Sequence, residues 1–432
     1  MKKVLVITYY WPPSGGAGVQ RWLKFVKYLR EFGWEPIVYT PENPEAPAID
    51  LSLEKDVPKN LTVLKTKIWE PYDFYKRFIG QKKEDKINAG FLTEKKKPGL
   101  AEKISVWIRG NWFIPDARKF WVKPSVNFLS EYLKINPVNA MVSTGPPHSM
   151  HLIALGIKKK LNIPWLADFR DPWTNIDFYH KLMLTQSSDA KHKRLELEVL
   201  KNADKVSVVS WNWAKDFEKI YKRDYQVITN GFDEADFDYS GLLPDEKFSV
   251  SHIGAMNNDR NPHQFWAAVK ELVSEIPSLK NDLQIKLIGK NDISVIESIE
   301  KNGLKQFTET ISYLPHNQVL KKICTSQVLL LPINDTPNVM GIIPGKIFEY
   351  LAARRPIFTI GNPKGDSARI LLEATAGIVC DFKDKEKMKE ELKKMYALFR
   401  NNNLNINSTD ILKHSRKNKT SELAALLNSM AG

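Results

Sequence analysis

Short apolar runs alternate with helical patterns from the start of the chain. The run KVLVIT is followed by a helical pattern from Val19 to Phe32 and then by EPIVYT. The rhythm resumes with NAMVSTG, a helical pattern from His148 to Leu161, IPWLADF, KVSVVS and YQVITNG. Continuous apolar runs such as VLVI and VSVV are typical of parallel strands that are covered on both faces. The pattern predicts an α/β fold built on a doubly wound parallel sheet.

A second series of the same kind follows a polar stretch. Residues 233–246, DEADFDYSGLLPDE, lack the apolar periodicity of strands and helices. They are rich in acidic residues and contain Gly and Pro, which is typical of linkers. Further strands are predicted at FSVSHIG, LQIKLIG, ETISYL, QVLLLP, PIFTIG and AGIVCDF. We therefore predict two Rossmann-like domains, at 1–236 and 247–405, and a final helix within 406–432. Such domains are expected to face each other across a cleft at the carboxyl ends of their strands.

The composition indicates a cellular compartment and shows where the positive charge lies. Cys324 and Cys380 lie in unrelated segments without a Cys-x-x-Cys spacing, which favours a reducing compartment and predicts a cytoplasmic protein. The net charge is +14. Half of this charge lies in a predicted insertion at 71–124, which contains 13 basic and 6 acidic residues. No run approaches the roughly 18 apolar residues of a spanning helix, so any membrane contact is expected to be peripheral.

The insertion is aromatic as well as basic. Its apolar residues have helical spacing around Trp107, and Trp112, Phe113, Phe120 and Trp121 follow. This pattern suits a helix lying on an anionic membrane through residues 95–124, at the inner face of the plasma membrane. It suits equally a helix packed on its own domain. Nucleic acid is not predicted as a partner, because no binding motif accompanies the charge.

The second domain contains the most distinctive segment, VMGIIPGKIFEYL. Pro344 and Gly345 precede a helix whose apolar positions predict a packed face, and Lys346 and Glu349 share a different face. A lysine at a helix start suits a bound diphosphate, and a glutamate one turn later suits a ribose diol. An exposed ion pair, contributing about 0.3 kcal/mol, is the alternative interpretation. Upstream, Gly254 ends a predicted strand and Arg260 follows it, where glycine permits close approach of a phosphate and arginine binds its oxygens.

The first domain offers candidates at three strand ends. Gly16 and Gly18 lie in the loop after the first strand, without the third glycine of a dinucleotide fingerprint. His148 follows a buried strand and a Pro-Pro turn, where an imidazole can act in acid–base chemistry or bind a sugar hydroxyl. Arg170 and Asp171 follow the next strand and suit either an active site or an ion network, while Asp168 is expected to be buried.

One Asp-x-Asp pair occurs, at Asp236 and Asp238. It lies in the predicted linker and does not end a strand, so a solvated turn is expected and no metal is predicted.

Together, these segments resemble the retaining GT-B glycosyltransferases of family 4 over nearly the whole chain. The landmarks are WPPSGGAGVQR, TGPPHSMH, DFRDPW, NGFD and GKIFEYLAARRP. By this resemblance Arg260 and Lys346 correspond to the cations on the diphosphate, Glu349 to the ribose ligand, His148 to the histidine near the donor sugar, and Gly16 to a glycine beside the donor. Gly341 stands where the family has the first acid of a Glu-x7-Glu motif.

The resemblance implies an enzyme that transfers a sugar from a nucleotide-diphosphate sugar with retention and without a metal or other cofactor. A glycan or lipid-linked acceptor of the cell envelope is the expected acceptor. The catalytic candidates are His148, Arg260 and Lys346, and the expected donor ligands include Gly16, Gly254, Gly345 and Glu349. A nucleotide-sugar epimerase of the same fold and a non-catalytic sugar or lipid binder remain as alternatives.

Overall fold

The chain divides into two compact units, each built on one parallel sheet. We describe it from a computed structural model, which covers residues 1–46, 48–71, 100–312, 314–406 and 408–431. Among these, the first unit contains the residues up to 230 and those from 416 onward, and the second contains those from 231 to 415. The chain thus enters the second unit at Gly231, ahead of the predicted linker. Phe232 N donates to His414 O at 3.1 Å, so the entering and leaving segments of the second unit pair with each other.

The first sheet has seven parallel strands in the order β3-β2-β1-β4-β5-β6-β7. Its central strand β1 is fully buried from Val4 to Ile7, because helices cover both of its faces, as the continuous apolar run predicts. The order reverses between β1 and β4, which makes their carboxyl ends the point where such sheets bind ligands. The strands are β1 (Lys2–Ile7), β2 (Trp34–Pro41), β3 (Thr62–Thr66), β4 (Ala140–Gly145), β5 (Trp165–Phe169), β6 (Lys205–Val208) and β7 (Gln226–Val227).

The helices of this unit follow the predicted apolar spacing. In α1 the buried positions Val19, Trp22, Leu23 and Val26 recur every three or four residues and pack on the sheet. The helices are α1 (Ala17–Leu29), α2 (Leu100–Trp112), α3 (Lys119–Ile135), α4 (Ser149–Leu161), α5 (Gln186–Asn202) and α6 (Trp211–Ile220). Residues 72–99 of the predicted insertion lie outside the described residues.

The second sheet has six parallel strands in the order β10-β9-β8-β11-β12-β13, and it reverses between β8 and β11. The strands are β8 (Phe248–Ile253), β9 (Leu283–Ile288), β10 (Thr308–Ile311), β11 (Val328–Pro332), β12 (Ile357–Ile360) and β13 (Gly377–Cys380). The helices are α7 (His263–Glu275), α8 (Leu279–Asp282), α9 (Ile293–Lys301), α10 (His316–Thr325), α11 (Lys346–Ala352), α12 (Asp366–Glu373) and α13 (Lys385–Arg400). All six strands predicted after residue 246 are present.

The last helix belongs to the first unit. Helix α14 (Arg416–Ala431) buries Leu423 and Leu427 in the core that also contains Val19 and Val26 of α1. Burial of these apolar side chains stabilises the packing of α14 against α1. None of the helices in the described ranges is long and apolar enough to cross a membrane.

Candidate functional site

In the second unit, the candidate residues meet where the sheet reverses. Gly254 directly follows β8 and has a φ of 102°, a backbone conformation that residues other than glycine rarely adopt. A Cβ atom added there would lie 2.8 Å from Lys346 Nζ. Gly289, at the end of β9, is equally constrained, because its Cβ would lie 2.7 Å from the Gly254 carbonyl. Glycine at position 254 therefore leaves room for the lysine, and glycine at position 289 leaves room for the backbone of Gly254.

Lys346 is oriented by a buried histidine. Its Nζ donates to His252 Nε2 at 3.3 Å, and His252 Nδ1 lies 3.1 Å from Leu330 O. Since a carbonyl can only accept, Nδ1 carries the proton and Nε2 is the acceptor that faces the lysine. His252 is 0% exposed, so this tautomer is fixed by the core.

The surroundings of this pair disfavour positive charge on both side chains. Burial of the ammonium group, and then the charge of Arg260, lower the pKa of Lys346 well below its usual range, while Glu349 acts in the opposite direction. Burial, Lys346 and Arg260 likewise lower the pKa of His252, which is therefore neutral.

Arg260 lies in a short helical turn before α7 and is held at two points. Its Nε donates to Asn334 Oδ1 at 2.9 Å, and its Nη1 donates to Ala255 O at 2.9 Å. Asn334 follows β11, so the arginine links the two strand ends between which the sheet order reverses. A cavity of about 180 Å³ at the start of α7 has Arg260 in its wall, together with Asp335 and Lys383, but Lys346 and Glu349 do not line it.

Helix α11 presents its polar face as the sequence predicts. Ile347, Phe348, Tyr350 and Leu351 are buried, whereas Lys346 and Glu349 are partly exposed. Glu349 Oε1 lies 3.2 Å from His316 Nε2 at the start of α10. The hydrogen-bond partners of Lys346 and Glu349 are thus two different histidines. Gly345 has a φ of −54° and open space around it, so neither backbone nor packing requires a glycine there.

In the first unit, Arg170, which follows β5, bonds to α1 and to the loop after β4. Its Nη1 donates to Gly18 O at 2.9 Å and its Nη2 to Pro146 O at 3.0 Å. Gly18 lies in the first turn of α1 rather than in the predicted loop, because the helix begins at Ala17. The first turn of α1 and the segments after β4 and β5 are therefore held together at the point where the first sheet reverses. Gly16 begins α1 with a φ of 97°, and a Cβ at Gly18 would lie 2.8 Å from the Tyr10 ring.

His148 lies directly before α4 and is 7% exposed. Its ring stacks on Trp173, with centroids 4.7 Å apart and planes inclined by 5°. Within the described residues, His148 Nδ1 is buried and has no hydrogen-bond partner. Burial, followed by His151, His192 and Arg170, lowers the pKa of His148 well below its usual range. His148 is therefore a neutral hydrogen-bonding group at the end of β4.

The two carboxylates at the carboxyl end of β5 differ in role. Asp168 is 1% exposed and accepts from Arg21, Trp22, Thr144 and Ser207, so it is a structural carboxylate. The side chain of Asp171 is 38% exposed and lies 3.4 Å from Arg170 Nε. Asp171 thus remains available at the strand end, whereas Asp168 is buried as the sequence analysis expects.

The residues that support the site are not evident from the sequence. His252 lies within an apolar run, and its place two residues before Gly254 was the available signal. Asn334 and His316 also follow strands, but such polar residues are common in loops. Trp173 is part of the DPW segment, yet its stacking on His148 depends on the fold.

The sequence matches no protein-family model and no curated protein. Solved structures do share its fold. WaaG, a glycosyltransferase involved in lipopolysaccharide biosynthesis, has a TM-score of 0.53 at 14% identity, covering 99% of this chain and 97% of that one. Anabaena Alr3699/HepE, solved in complex with UDP, has a TM-score of 0.56 at 13% identity, covering 100% and 97%. A putative UDP-N-acetylglucosamine 2-epimerase from Listeria monocytogenes has a TM-score of 0.54 at 11% identity, covering 99% and 96%.

These likenesses establish the fold. The chain has the GT-B fold, with two Rossmann-like units of seven and six parallel strands. The predicted fold class is confirmed.

Proposed function

We propose that this protein is a glycosyltransferase whose second unit binds a nucleotide-diphosphate sugar. The observation that carries the proposal is the placement of Lys346 against Gly254 and His252 where the second sheet reverses, with Arg260 and Glu349 nearby. Two cations suit a diphosphate, and the carboxylate of Glu349 suits a ribose diol. The UDP complex of Anabaena HepE, which has the same fold, supports a nucleotide ligand.

The proposed reaction transfers the sugar with retention and without a metal. As the bond between the sugar and the diphosphate breaks, negative charge develops on the diphosphate, and Lys346 and Arg260 stabilise it. Restoring the charged form of Lys346 against this anion would make the interaction strongest when the leaving group departs. In the first unit, the neutral imidazole of His148 would bind a sugar hydroxyl, beside Gly16, Gly18, Arg170 and Asp171.

We further propose an envelope glycan or a lipid-linked sugar as the acceptor, used at the inner face of the plasma membrane. Support comes from an aromatic patch formed by Trp69, Trp112, Phe113, Lys119 and Phe120. Trp69 and Trp112 are each 63% exposed, and Lys119 Nζ lies 5.0 Å from the centre of the Phe120 ring. Exposed aromatic rings beside lysine suit the headgroup region of an anionic membrane. The similarity to WaaG, which acts in lipopolysaccharide biosynthesis, points the same way.

Ligand binding and turnover of Lys346→Ala test the proposal. A nucleotide-diphosphate sugar that binds the native state should raise the melting temperature of the wild type in a panel of nucleotides and nucleotide sugars. Lys346→Ala should lose this shift and lower transfer by about 100-fold or more, because it removes a charge partner of the leaving group. Lys301→Ala, at an exposed lysine that ends α9 in the same unit, is the matched control. Near-normal turnover in Lys346→Ala would refute the assignment.

A nucleotide-sugar epimerase is the second candidate, because an epimerase of the same fold is among the similar structures. The two reactions differ in what happens to the nucleotide. Incubation with the donor alone should leave its sugar unchanged if the protein is a transferase, whereas an epimerase would invert one carbon and keep the nucleotide attached. A non-catalytic binder would give the thermal shift without either product.

A further inference from the structure

The segment after β5 is held by two buried side chains of α5. Trp173 Nε1 donates to His192 Nδ1 at 3.0 Å. Thr174 donates from its Oγ1 to Glu196 Oε2 at 2.5 Å and from its backbone N to Glu196 Oε1 at 3.3 Å. His192 and Glu196 are four residues apart, so they lie on one face of the helix. Two consecutive residues of the loop are therefore fixed by one face of α5.

The contacts continue from this loop to His148. The Trp173 ring, 3% exposed, stacks almost parallel on the His148 ring. An imidazole is usually oriented by a hydrogen bond from one of its nitrogens. In the described residues His148 Nδ1 has no such bond, so ring contacts set the plane of the imidazole. The stack on Trp173 is shorter and more nearly parallel than the contacts with His151 and Phe169.

The side chains of His192 and Glu196 on α5 are buried although they are polar. Glu196 is 1% exposed and His192 is 4% exposed. Burial of a carboxylate costs free energy unless hydrogen bonds compensate for the lost contact with water. Burial raises the pKa of Glu196 to about 7, although the hydrogen bonds from Thr174 lower it. Both side chains bond to the loop that carries Trp173, and His192 also interacts with the backbone of Gly110. Their burial is thus tied to the position of that loop.

We propose that His192 and Glu196 are positioning residues, which fix Trp173 and Thr174 and thereby orient the imidazole of His148 for sugar transfer. This inference rests on the proposed function, in which His148 binds the donor sugar. Both side chains are buried, His192 acts on the indole ring itself, and Glu196 acts on the neighbouring Thr174. A displacement of about 1 Å at a reacting group lowers turnover by on the order of 100-fold, so orientation alone is consequential.

The position of the imidazole can be measured without any substrate. In protein labelled with ¹³C-histidine, the His148 ring protons, assigned with His148→Gln, should be shifted upfield by the stacked indole. Thr174→Val removes only the hydroxyl donor, and Glu196→Ala removes the acceptor. Both should reduce the upfield shift. Glu196→Gln keeps an acceptor oxygen and should preserve the shift. Glu198→Ala, on the same helix as Glu196, should preserve it as well, because it removes only a surface pair with Lys159 of α4.

Transfer kinetics complete the test. Thr174→Val and Glu196→Ala should lower kcat by about 10-fold or more. KM for the donor should change little, because the nucleotide is held by the other unit. Unchanged His148 resonances in Thr174→Val, the variant least prone to misfolding, would overturn the proposal. So would altered resonances with unchanged kcat. A protein that transfers no sugar but shows the predicted resonance changes would instead refute the proposed function and leave the structural link standing.

Discussion

At the scale of single residues, Gly254 is a constrained position of the candidate site. Its backbone has a φ of 102°, and an added Cβ would lie 2.8 Å from Lys346 Nζ. Alanine at this position therefore meets two penalties, namely backbone strain of about 1–3 kcal/mol and displacement of the lysine. The second penalty concerns binding rather than stability.

A matched pair of variants separates these penalties. Gly303 also has a positive φ, of 70°, but a Cβ there meets nothing within 4 Å. We expect Gly254→Ala and Gly303→Ala both to lower the melting temperature. Only Gly254→Ala should weaken nucleotide binding, measured by titration calorimetry. Equal affinities in the two variants would mean that the space around Lys346 is not part of the binding site.

At the scale of secondary-structure elements, the buried carboxylate of Asp168 joins α1 to the sheet. It accepts from Arg21 Nη2 and Trp22 Nε1 of α1, both at 2.8 Å. It also accepts from Thr144 on β4 and Ser207 on β6. Burial alone would raise the pKa of Asp168, but Arg21 and these hydrogen bonds hold it below its usual range.

Asp168→Asn should be strongly destabilising, because it leaves Arg21, 1% exposed, without its charge partner. The expected loss is about 3–5 kcal/mol in the free energy of unfolding, measured with urea at pH 7. Because the folded pKa is lowered, the wild type has this contribution above pH of about 4 and loses it as pH falls further. The variant should lack that part of the acid dependence.

The exposed pair of Glu131 and Lys134 provides the control for this measurement. Both side chains are more than half exposed, so Glu131→Gln should change the free energy of unfolding by about 1 kcal/mol or less. A similar small effect in Asp168→Asn would contradict the proposed role of the carboxylate in fastening α1.

The elements were more predictable from the sequence than their contacts. Apolar periodicity predicts the strands of the second sheet, because burial in a sheet imposes that spacing. It also places Gly254 and His148 at strand ends. It cannot reveal that His252 faces Lys346 or that Trp173 stacks on His148, because these contacts join residues 94 and 25 positions apart. Such pairings depend on strand order and loop path rather than on local pattern.

At the scale of the whole molecule, the net charge of +14 and the aromatic patch bear on where the protein acts. Burial, together with neighbouring Lys191, lowers the pKa of Lys119 within the patch. An anionic surface would offset the repulsion between these lysines while Trp112 and Phe120 enter the headgroup region. Binding that combines the two contributions should depend on both salt and aromatic rings.

Co-sedimentation with vesicles tests this combination. The wild type should bind vesicles containing phosphatidylglycerol at low salt, bind less at 0.5 M salt, where the Debye length falls to about 4 Å, and bind phosphatidylcholine vesicles poorly. Replacing both Trp112 and Phe120 by serine should weaken binding by about tenfold or more, since about 1.4 kcal/mol suffices for that change. Leu412→Ser, at an apolar side chain 51% exposed in the second unit, is the control. If the serine variant bound as tightly as this control, the patch would not be a membrane contact, and the acceptor would have to reach the enzyme in soluble form.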